Sequence, residues 1–200
     1  MGTETELKLS LSATDIPKLL QHPLLAETPK RLKLYNTYFD TPDLDLTKQR
    51  VAVRERRVLR KTLLTVKTAQ RSEGGISQRS EWEAPTVPGS FDFSTLIDDA
   101  DFAESLSQVA SKLVPIFTTD FSRRLWTLEF RHATIEVALD QGTISATRAE
   151  INREQPICEL ELELKAGNPA TLFALARMLS RHVRLHPAND SKAARGYALF

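Results

Sequence analysis

The sequence predicts an α+β protein made mainly of antiparallel β-strands, with helices confined to a few segments. Three observations carry that prediction. Apolar and charged residues alternate with a period of two through a long series of stretches. Turn chemistry separates those stretches at short intervals, as in hairpins. Helical spacing of apolar residues is limited to a few places, chiefly near the middle and end of the chain. Consecutive strands with short connections pair antiparallel, as an open sheet or a closed barrel.

The elements follow in order. Residues 4–11 alternate as a strand, and 14–20 fit a short helix. Residues 34–39 form the second strand, after which Thr41-Pro42-Asp43 supplies a turn. Strands are expected at 51–58, 62–69 and 76–84, with Ser72-Glu73-Gly74-Gly75 as the hairpin turn between the last two. Residues 86–111 carry Phe91, Phe93, Leu96, Ile97, Phe102 and Leu106 at helical spacing, which predicts one or two helices. Strands return at 114–130, 133–147 and 156–166. Asn168 as N-cap and Pro169 at the first position open a helix whose apolar face is Leu172, Phe173, Leu175, Leu179 and Val183. Pro187 closes that segment, and a last helix runs over 189–200.

Bulk properties narrow the class. A chain of 200 residues can hold one domain with a sizeable core, and residues 1–200 read as one domain. The single cysteine, Cys158, excludes an intramolecular disulfide and a thiolate metal cluster. With 27 basic against 26 acidic residues, the total charge points to no nucleic-acid partner. No apolar run reaches membrane-spanning length, and MGTETELK lacks a signal-like apolar region, so the expected address is the cytoplasm.

The informative pattern is where charges sit on each strand. Residues i, i+2 and i+4 share a face. Glu4, Glu6 and Lys8 therefore lie together, with Leu7 and Leu9 behind. Arg54 and Arg56 oppose Val51 and Val53; Thr65 and Lys67 oppose Leu64 and Val66; Arg79, Glu81 and Glu83 oppose Trp82. Glu136 and Asp140 are backed by Ile135, Val137 and Leu139. Glu159, Glu161, Glu163 and Lys165 are backed by Cys158, Leu160, Leu162 and Leu164. A sheet with one wet face gives such alternation unaided. It does not account for like charges in succession, which repel and gain nothing on a surface strand. A bound partner does: carboxylate clusters suit hard cations such as Mg²⁺, and Arg/Lys clusters suit phosphate oxygens.

These segments resemble a known family. Glu4-Thr5-Glu6-Leu7-Lys8 matches the ExExK signature of the CYTH family, the triphosphate tunnel metalloenzymes. Val53-Arg54-Glu55-Arg56, Thr65-Val66-Lys67 and Arg79-Ser80-Glu81 are similar to its basic strand, TxK and RxE elements. The blocks 119–123, 135–142, 156–164 and 191–197 are similar, in order, to the bacterial inorganic triphosphatase branch. The resemblance implies a closed barrel of about eight strands whose polar face turns inward as a tunnel, with flanking helices over the apolar strand faces. It also implies metal-dependent hydrolysis of tripolyphosphate, with Mg²⁺ or Mn²⁺ as cofactor. Lys8, Arg54, Arg56, Lys67, Arg79, Arg123 and Lys192 would hold substrate. Glu4, Glu6, Glu159, Glu161 and Glu163 would hold metal, and Lys8, Glu81, Glu136 and Asp140 would serve the chemistry. A class IV adenylate cyclase, a thiamine or nucleoside triphosphatase, or a non-catalytic polyphosphate binder on the same scaffold are the alternatives.

Other features carry less. The basic run 48–61 is split by strand alternation across two faces, which argues against a nucleic-acid patch. His182 and His186 read as a metal-free pair at a helix end, Cys158 as a buried structural thiol, and Trp82 and Trp126 as packing. The chain has no P-loop, GxGxxG or GxSxG motif.

Overall fold

The computed structural model describes residues 2–68 and 74–200. Strand β1 (Gly2–Ser10) is followed by α1 (Ile16–Leu20), β2 (Lys30–Asp40), α2 (Asp45–Lys48), β3 (Val51–Val58), β4 (Lys61–Thr68) and β5 (Ile76–Pro85). Two helices, α3 (Phe93–Leu96) and α4 (Ala100–Val109), precede the long strands β6 (Val114–Phe130), β7 (Ala133–Arg148) and β8 (Ile151–Ala166). Then come α5 (Ala170–Leu179), the two-residue β9 (His186–Pro187) and α6 (Lys192–Leu199). The strand order is β5-β4-β3-β2-β6-β7-β8-β1, and β1 pairs back onto β5, so the antiparallel sheet closes into a barrel. β9 pairs with β1 at Leu9 and Ser10, beyond the stretch that β5 occupies.

Closure turns the usual rule inside out. The apolar rows of the strands face outward and are covered by helices. Leu7, Leu9, Ile135, Val137, Leu139, Leu160 and Leu162 pack under Leu172, Leu175 and Leu179 of α5. Val51, Val53, Leu64, Val66 and Trp82 pack with Phe93, Ala103 and Leu106 of α3 and α4. Each of the leucine, isoleucine, valine and phenylalanine side chains contributes about 1.5–3 kcal/mol when fully buried. Trp82 and Trp126 lie in these outer clusters and donate to Asp98 and to the Glu27 carbonyl, so both are packing residues.

A third cluster lies on the inward face, at one end. There Leu34, Tyr38, Phe117, Phe121, Ile144 and Ile157 meet Ala193 and Tyr197 of α6. Gly196 makes this contact possible, because a Cβ there would sit only 2.5 Å from Phe117 Cζ and closer still to two other ring carbons. The register places the β7–β8 hairpin and the starts of β3 and β6 at this end, and the β3–β4 and β6–β7 hairpins at the other.

Several boundaries differ from the sequence expectation. β2 starts at Lys30 and β8 at Ile151, earlier than predicted. Pro156 sits inside β8, where β1 no longer pairs: β1 meets only Glu159–Glu163, so the edge is open and a missing N–H costs nothing. α2, unpredicted, is held by the buried Asp40, whose carboxylate accepts the N–H groups of Thr41, Leu46 and Thr47. α5 begins at Ala170 with Pro169 as cap, while Asn168 Oδ1 accepts the Ala170 N–H. It ends at Leu179, so Val183 follows the helix, and Phe173 is exposed rather than on the buried face. His182 and His186 are not on one helix: His182 packs edge-on against His22, and His186 belongs to β9. Cys158 is half-buried. Of the expected turn at 72–75, Ser72 and Glu73 lie outside the described residues, as does residue 69 at the end of the fourth predicted strand.

Candidate active site

The inward rows converge on a cavity of ≈ 490 Å³. Glu4, Glu6 and Lys8 come from β1, Arg54 and Arg56 from β3, Lys67 from β4, and Arg79 and Glu81 from β5. Arg123 comes from β6, Glu136 from β7, Glu161 and Glu163 from β8, and Lys192 from α6. Asp140 and Glu159 lie just beneath this wall, fully buried. Alternation alone explains the gathering: each strand commits one face to the helices, and closure points the other at a common axis.

The charges sort into groups. Deepest, Lys192 Nζ donates to Asp140 (2.7 Å), to Glu161 (2.9 Å) and to Glu159. Arg123 forks onto both oxygens of Asp140 at 2.7 Å and also donates to Glu161. Arg195 Nη1 donates to Glu159 at 3.2 Å. Carboxylate oxygens of Asp140, Glu159 and Glu161 lie within 4.8 Å of one another. Beside them, Arg79 donates to Glu4 (2.7 Å) and Glu6 (3.0 Å), while Lys67 bridges Glu4 (2.9 Å) and Glu81 (3.0 Å). Lys8 stands 3.6 Å from Glu6. Nearer the β3–β4 end, Lys165 pairs with Glu136 (3.1 Å) and Glu163 (2.6 Å).

Arg54 and Arg56, like Lys8, have only long contacts to carboxylates. Arg54 lies 3.6 Å from Glu81 and 3.8 Å from Glu83, and Arg56 lies 3.9 Å from Glu83. Arg56 Nε donates to Asn36, which is buried and donates on to Thr119. The buried Arg54 Nε has no hydrogen-bond partner among the described residues. Burial and the neighbouring Arg54 and Arg123 push Arg56 down to about 10. Burial, Arg54 and Arg79 likewise lower Lys67. On the same wall burial alone would lower Arg54, but Tyr38, Glu81 and Glu83 outweigh it, so Arg54 is raised instead.

The acids divide in the same way. Burial alone would raise Glu4 and Glu161, but Lys67 and Arg79 outweigh it at Glu4, and Lys192, Arg123 and Lys8 outweigh it at Glu161. Both are held well below the ordinary carboxylate range. Glu163 is raised by burial, with Glu4 and Glu136 adding to it against the pull of Lys165.

The five glutamates expected to bind metal therefore do not form one cluster. Glu159 and Glu161 share a group with Asp140, Glu4 and Glu6 are gripped by Arg79, and Glu163 pairs with Lys165. Sequence reasoning left Glu83 and Lys165 out of the site, although both continue inward rows at i+2. It also missed Asn36, Tyr38, Phe121 and Arg195, which only tertiary pairing brings in.

Comparison with known proteins fits this geometry. The CYTH domain pattern matches residues 2–197. The chain belongs to the CYTH family. A curated relative, "Inorganic triphosphatase" of Haemophilus influenzae, is 37% identical over 202 residues. The alignment takes in all of this chain but 55% of that protein, so the chain spans about half the relative's length. Among solved structures, HpAC1 from Hippeastrum, described as having a dominant triphosphatase activity, aligns with TM-score 0.63 at 18% identity, covering 98% of this chain and 95% of that one. PH1819 from Pyrococcus horikoshii aligns with TM-score 0.58 at 17% identity, covering 98% of each chain. The Mimivirus capping enzyme triphosphatase aligns with TM-score 0.52 at 12% identity, covering 92% and 90%. These structural likenesses show the shared barrel fold.

The depressed carboxylates give the metal-free CYTH chain a defined acid response. A group with a lowered folded pKa contributes stability above its unfolded value and loses it as pH falls. Melting temperature in chelator is expected to hold down to the ordinary glutamate value of 4.5 and to fall progressively below it as Glu4 and Glu161 protonate. Calorimetry across that range checks this; a melting temperature indifferent to acid would contradict the ion-pair assignment.

Proposed function

We propose that this CYTH chain hydrolyses inorganic tripolyphosphate to orthophosphate and pyrophosphate with the help of a divalent metal ion. The observation that carries this reading is the convergence of Lys8, Arg54, Arg56, Lys67, Arg79, Arg123 and Lys192 on the cavity that also holds Glu161, with Asp140 and Glu159 directly beneath. A polyanion sheds water only where opposite charge replaces it. The partnerless Arg54 Nε and the loosely held Arg56 supply such charge, and the 37% identical relative named inorganic triphosphatase supports the same substrate.

Glu4, Glu6, Glu161 and Glu163 face the cavity as all-oxygen donors of the hardness that Mg²⁺ or Mn²⁺ takes, so these, with Glu159 beneath, are the residues proposed to hold the ion, while Lys192 is the cation held among Asp140, Glu159 and Glu161. When bound, the metal ion would neutralise phosphate oxygens and make water more acidic. The rest falls to the chain. Arg54, Arg56, Lys67 and Arg123 orient phosphoryl oxygens from stiff strands, so little reorganisation is needed. Glu4 and Glu6 fix Arg79, and Lys8 approaches from β1. Water oxygen attacks the terminal phosphorus, the bond to the bridging oxygen breaks, and pyrophosphate leaves with the electron pair. Glu81 and Glu136, which line the cavity, are the carboxylates proposed to orient that water and take its proton, and the buried Asp140 holds Arg123 and Lys192 in place. Positioning and charge neutralisation dominate such transfers.

A nucleoside or thiamine group would need a face to stack on. The aromatic lining residues, Tyr38 and Phe121, are both buried, in the inward apolar cluster beside α6. This favours an inorganic substrate over the cyclase and nucleoside alternatives. Among the described residues no helix is long and apolar enough to cross a membrane; the cytoplasm is the proposed place of action, with no nucleic-acid partner.

The test is product release from tripolyphosphate with Mg²⁺, Mn²⁺ or chelator, beside ATP, thiamine triphosphate and pyrophosphate. Metal-dependent turnover of tripolyphosphate above the others is expected. Tight binding without turnover would make the chain a polyphosphate binder, and cyclic AMP from ATP would make it a cyclase.

A further inference from the structure

Resting on the triphosphatase reading, we infer that Asn36 is a positioning residue of the lumen: its buried neutral amide aims the Arg56 guanidinium and leaves that cation's charge to be matched by phosphate. The sheet register sets up the arrangement. Asn36 on β2 lies directly across from Arg56 on β3 and from Thr119 on β6, and strand alternation turns all three to the lumen side. Arg56 Nε donates to Asn36 Oδ1 at 2.9 Å, and Asn36 Nδ2 donates to Thr119 Oγ1 at 2.7 Å. A guanidinium can only donate, so the amide has to turn its oxygen toward Arg56 and its NH₂ toward β6. Thr119 holds it that way by accepting. Asn36 and Thr119 are both 0% exposed. Leu34 and Tyr38 flank Asn36 along its strand face, and Phe117 and Phe121 flank Thr119, so the relay is walled in by apolar and aromatic side chains.

What sets Arg56 apart is the kind of group that holds it. Arg79 is gripped by Glu4 and Glu6, and Arg123 by Asp140 and Glu161. Lys67 bridges Glu4 and Glu81, and Lys192 sits among Asp140, Glu159 and Glu161. Each of those cations already has a carboxylate against it. Among the described residues the Arg56 guanidinium makes its only hydrogen bond to Asn36, and the carboxylate oxygen closest to it, on Glu83, is 3.9 Å away. Tying down Nε fixes the plane of the guanidinium and leaves its terminal NH₂ groups to the cavity that Arg56 lines. An aspartate at position 36 would fix the same plane but would also neutralise the charge. The amide positions without neutralising. Burial, with Arg54 and Arg123 nearby, pushes Arg56 down to about 10, so it stays charged at neutral pH while its charge is poorly matched. A phosphate oxygen is the group that matches it, through a charge-assisted hydrogen bond.

The test uses Asn36→Asp, which keeps the shape of the side chain and adds the charge. In that variant Arg56 Nε retains its acceptor, and the Thr119 hydroxyl can reverse and donate to the second carboxylate oxygen. The new buried pair is close to neutral for folding, because attraction and desolvation nearly cancel. Melting temperature is therefore expected to stay at the parent value or to rise. Binding of tripolyphosphate, measured by titration calorimetry in chelator, is expected to weaken about 10- to 100-fold, the scale of one hydrogen bond to a charged group. Parent affinity in a variant that melts like the parent would overturn the inference. Affinity and melting temperature falling together would make Asn36 a structural residue only. A second pair of variants leaves every charge in place. Thr119→Val removes the anchor of the amide and is expected to weaken binding roughly 3- to 10-fold, the scale of one neutral hydrogen bond, whereas Thr119→Ser keeps the hydroxyl and is expected to restore it. Parent affinity in Thr119→Val would refute the relay. The parent chain tests the underlying reading separately: if it does not bind tripolyphosphate, that reading and the inference both fall, and if parent and variants bind alike, only the inference does.

Discussion

Glu161→Gln is expected to lower kcat on tripolyphosphate by about 10²–10³, the loss seen when one preorganised electrostatic contact is removed. The substitution keeps the shape of the side chain and deletes its charge. Glu161 is the cavity-facing member of the acid trio, contacted by both Lys192 and Arg123. Removing its charge weakens the proposed metal site and leaves two cations facing only Asp140 and Glu159 nearby. The metal dependence should shift to higher concentration, whereas circular dichroism should report an unchanged fold. Near-normal kcat at ordinary metal concentration would exclude Glu161 from the reaction centre.

Gly142→Val should instead act on the barrel itself. Gly142 faces Phe121 across the β6–β7 ladder. A Cβ there would overlap the Asp120 carbonyl oxygen and stand 2.5 Å from Phe121 Cα. The obstacles are backbone atoms of a paired strand, which cannot rotate away as a flexible side chain would. The cost should reach at least about 3 kcal/mol, the upper end of ordinary overpacking. For a chain of this size that is roughly 6–12 °C in melting temperature. A thermal melt of Gly142→Val beside Gly142→Ala checks this, and an unshifted Tm in the valine variant would mean the two strands are not packed this closely.

The strands were legible because the barrel's closure depends on a period of two, and that period is written into the residues from Glu4 to Lys8 and from Cys158 to Lys165. Their ends were less so. Lys30–Lys33 and Ile151–Gln155 carry little alternation, because there β2 and β8 run out toward the barrel ends and no longer divide a core from a cavity. α2 was hidden because its support comes from Asp40, a residue outside the helix, and no local pattern records that contact. The cavity residues followed from strand faces together with family likeness. Their grouping did not: the sharing of Glu4 and Glu6 with Arg79, or of Asp140 with Lys192, depends on which strands become neighbours and on how α6 docks. Asn36 illustrates the limit. Its role is to tie Arg56 to Thr119 on a strand 83 positions away, and nothing around it in the chain announces that bond.

The outward placement of the apolar rows separates two tasks that most enzymes assign to overlapping residues. Adhesion resides in the coat of leucines, valines and aromatics beneath α3, α4 and α5. The lumen supplies recognition, and its buried ion pairs add little net cohesion, since desolvation offsets most of their attraction. Charge-conserving exchanges in the lumen are thus cheap for the scaffold, provided that no buried ion is left alone. A fold partitioned in this way can drift through different anionic substrates over evolutionary time while its coat stays nearly constant. For an engineer, the lumen is the place to alter specificity and the coat is the place to leave untouched.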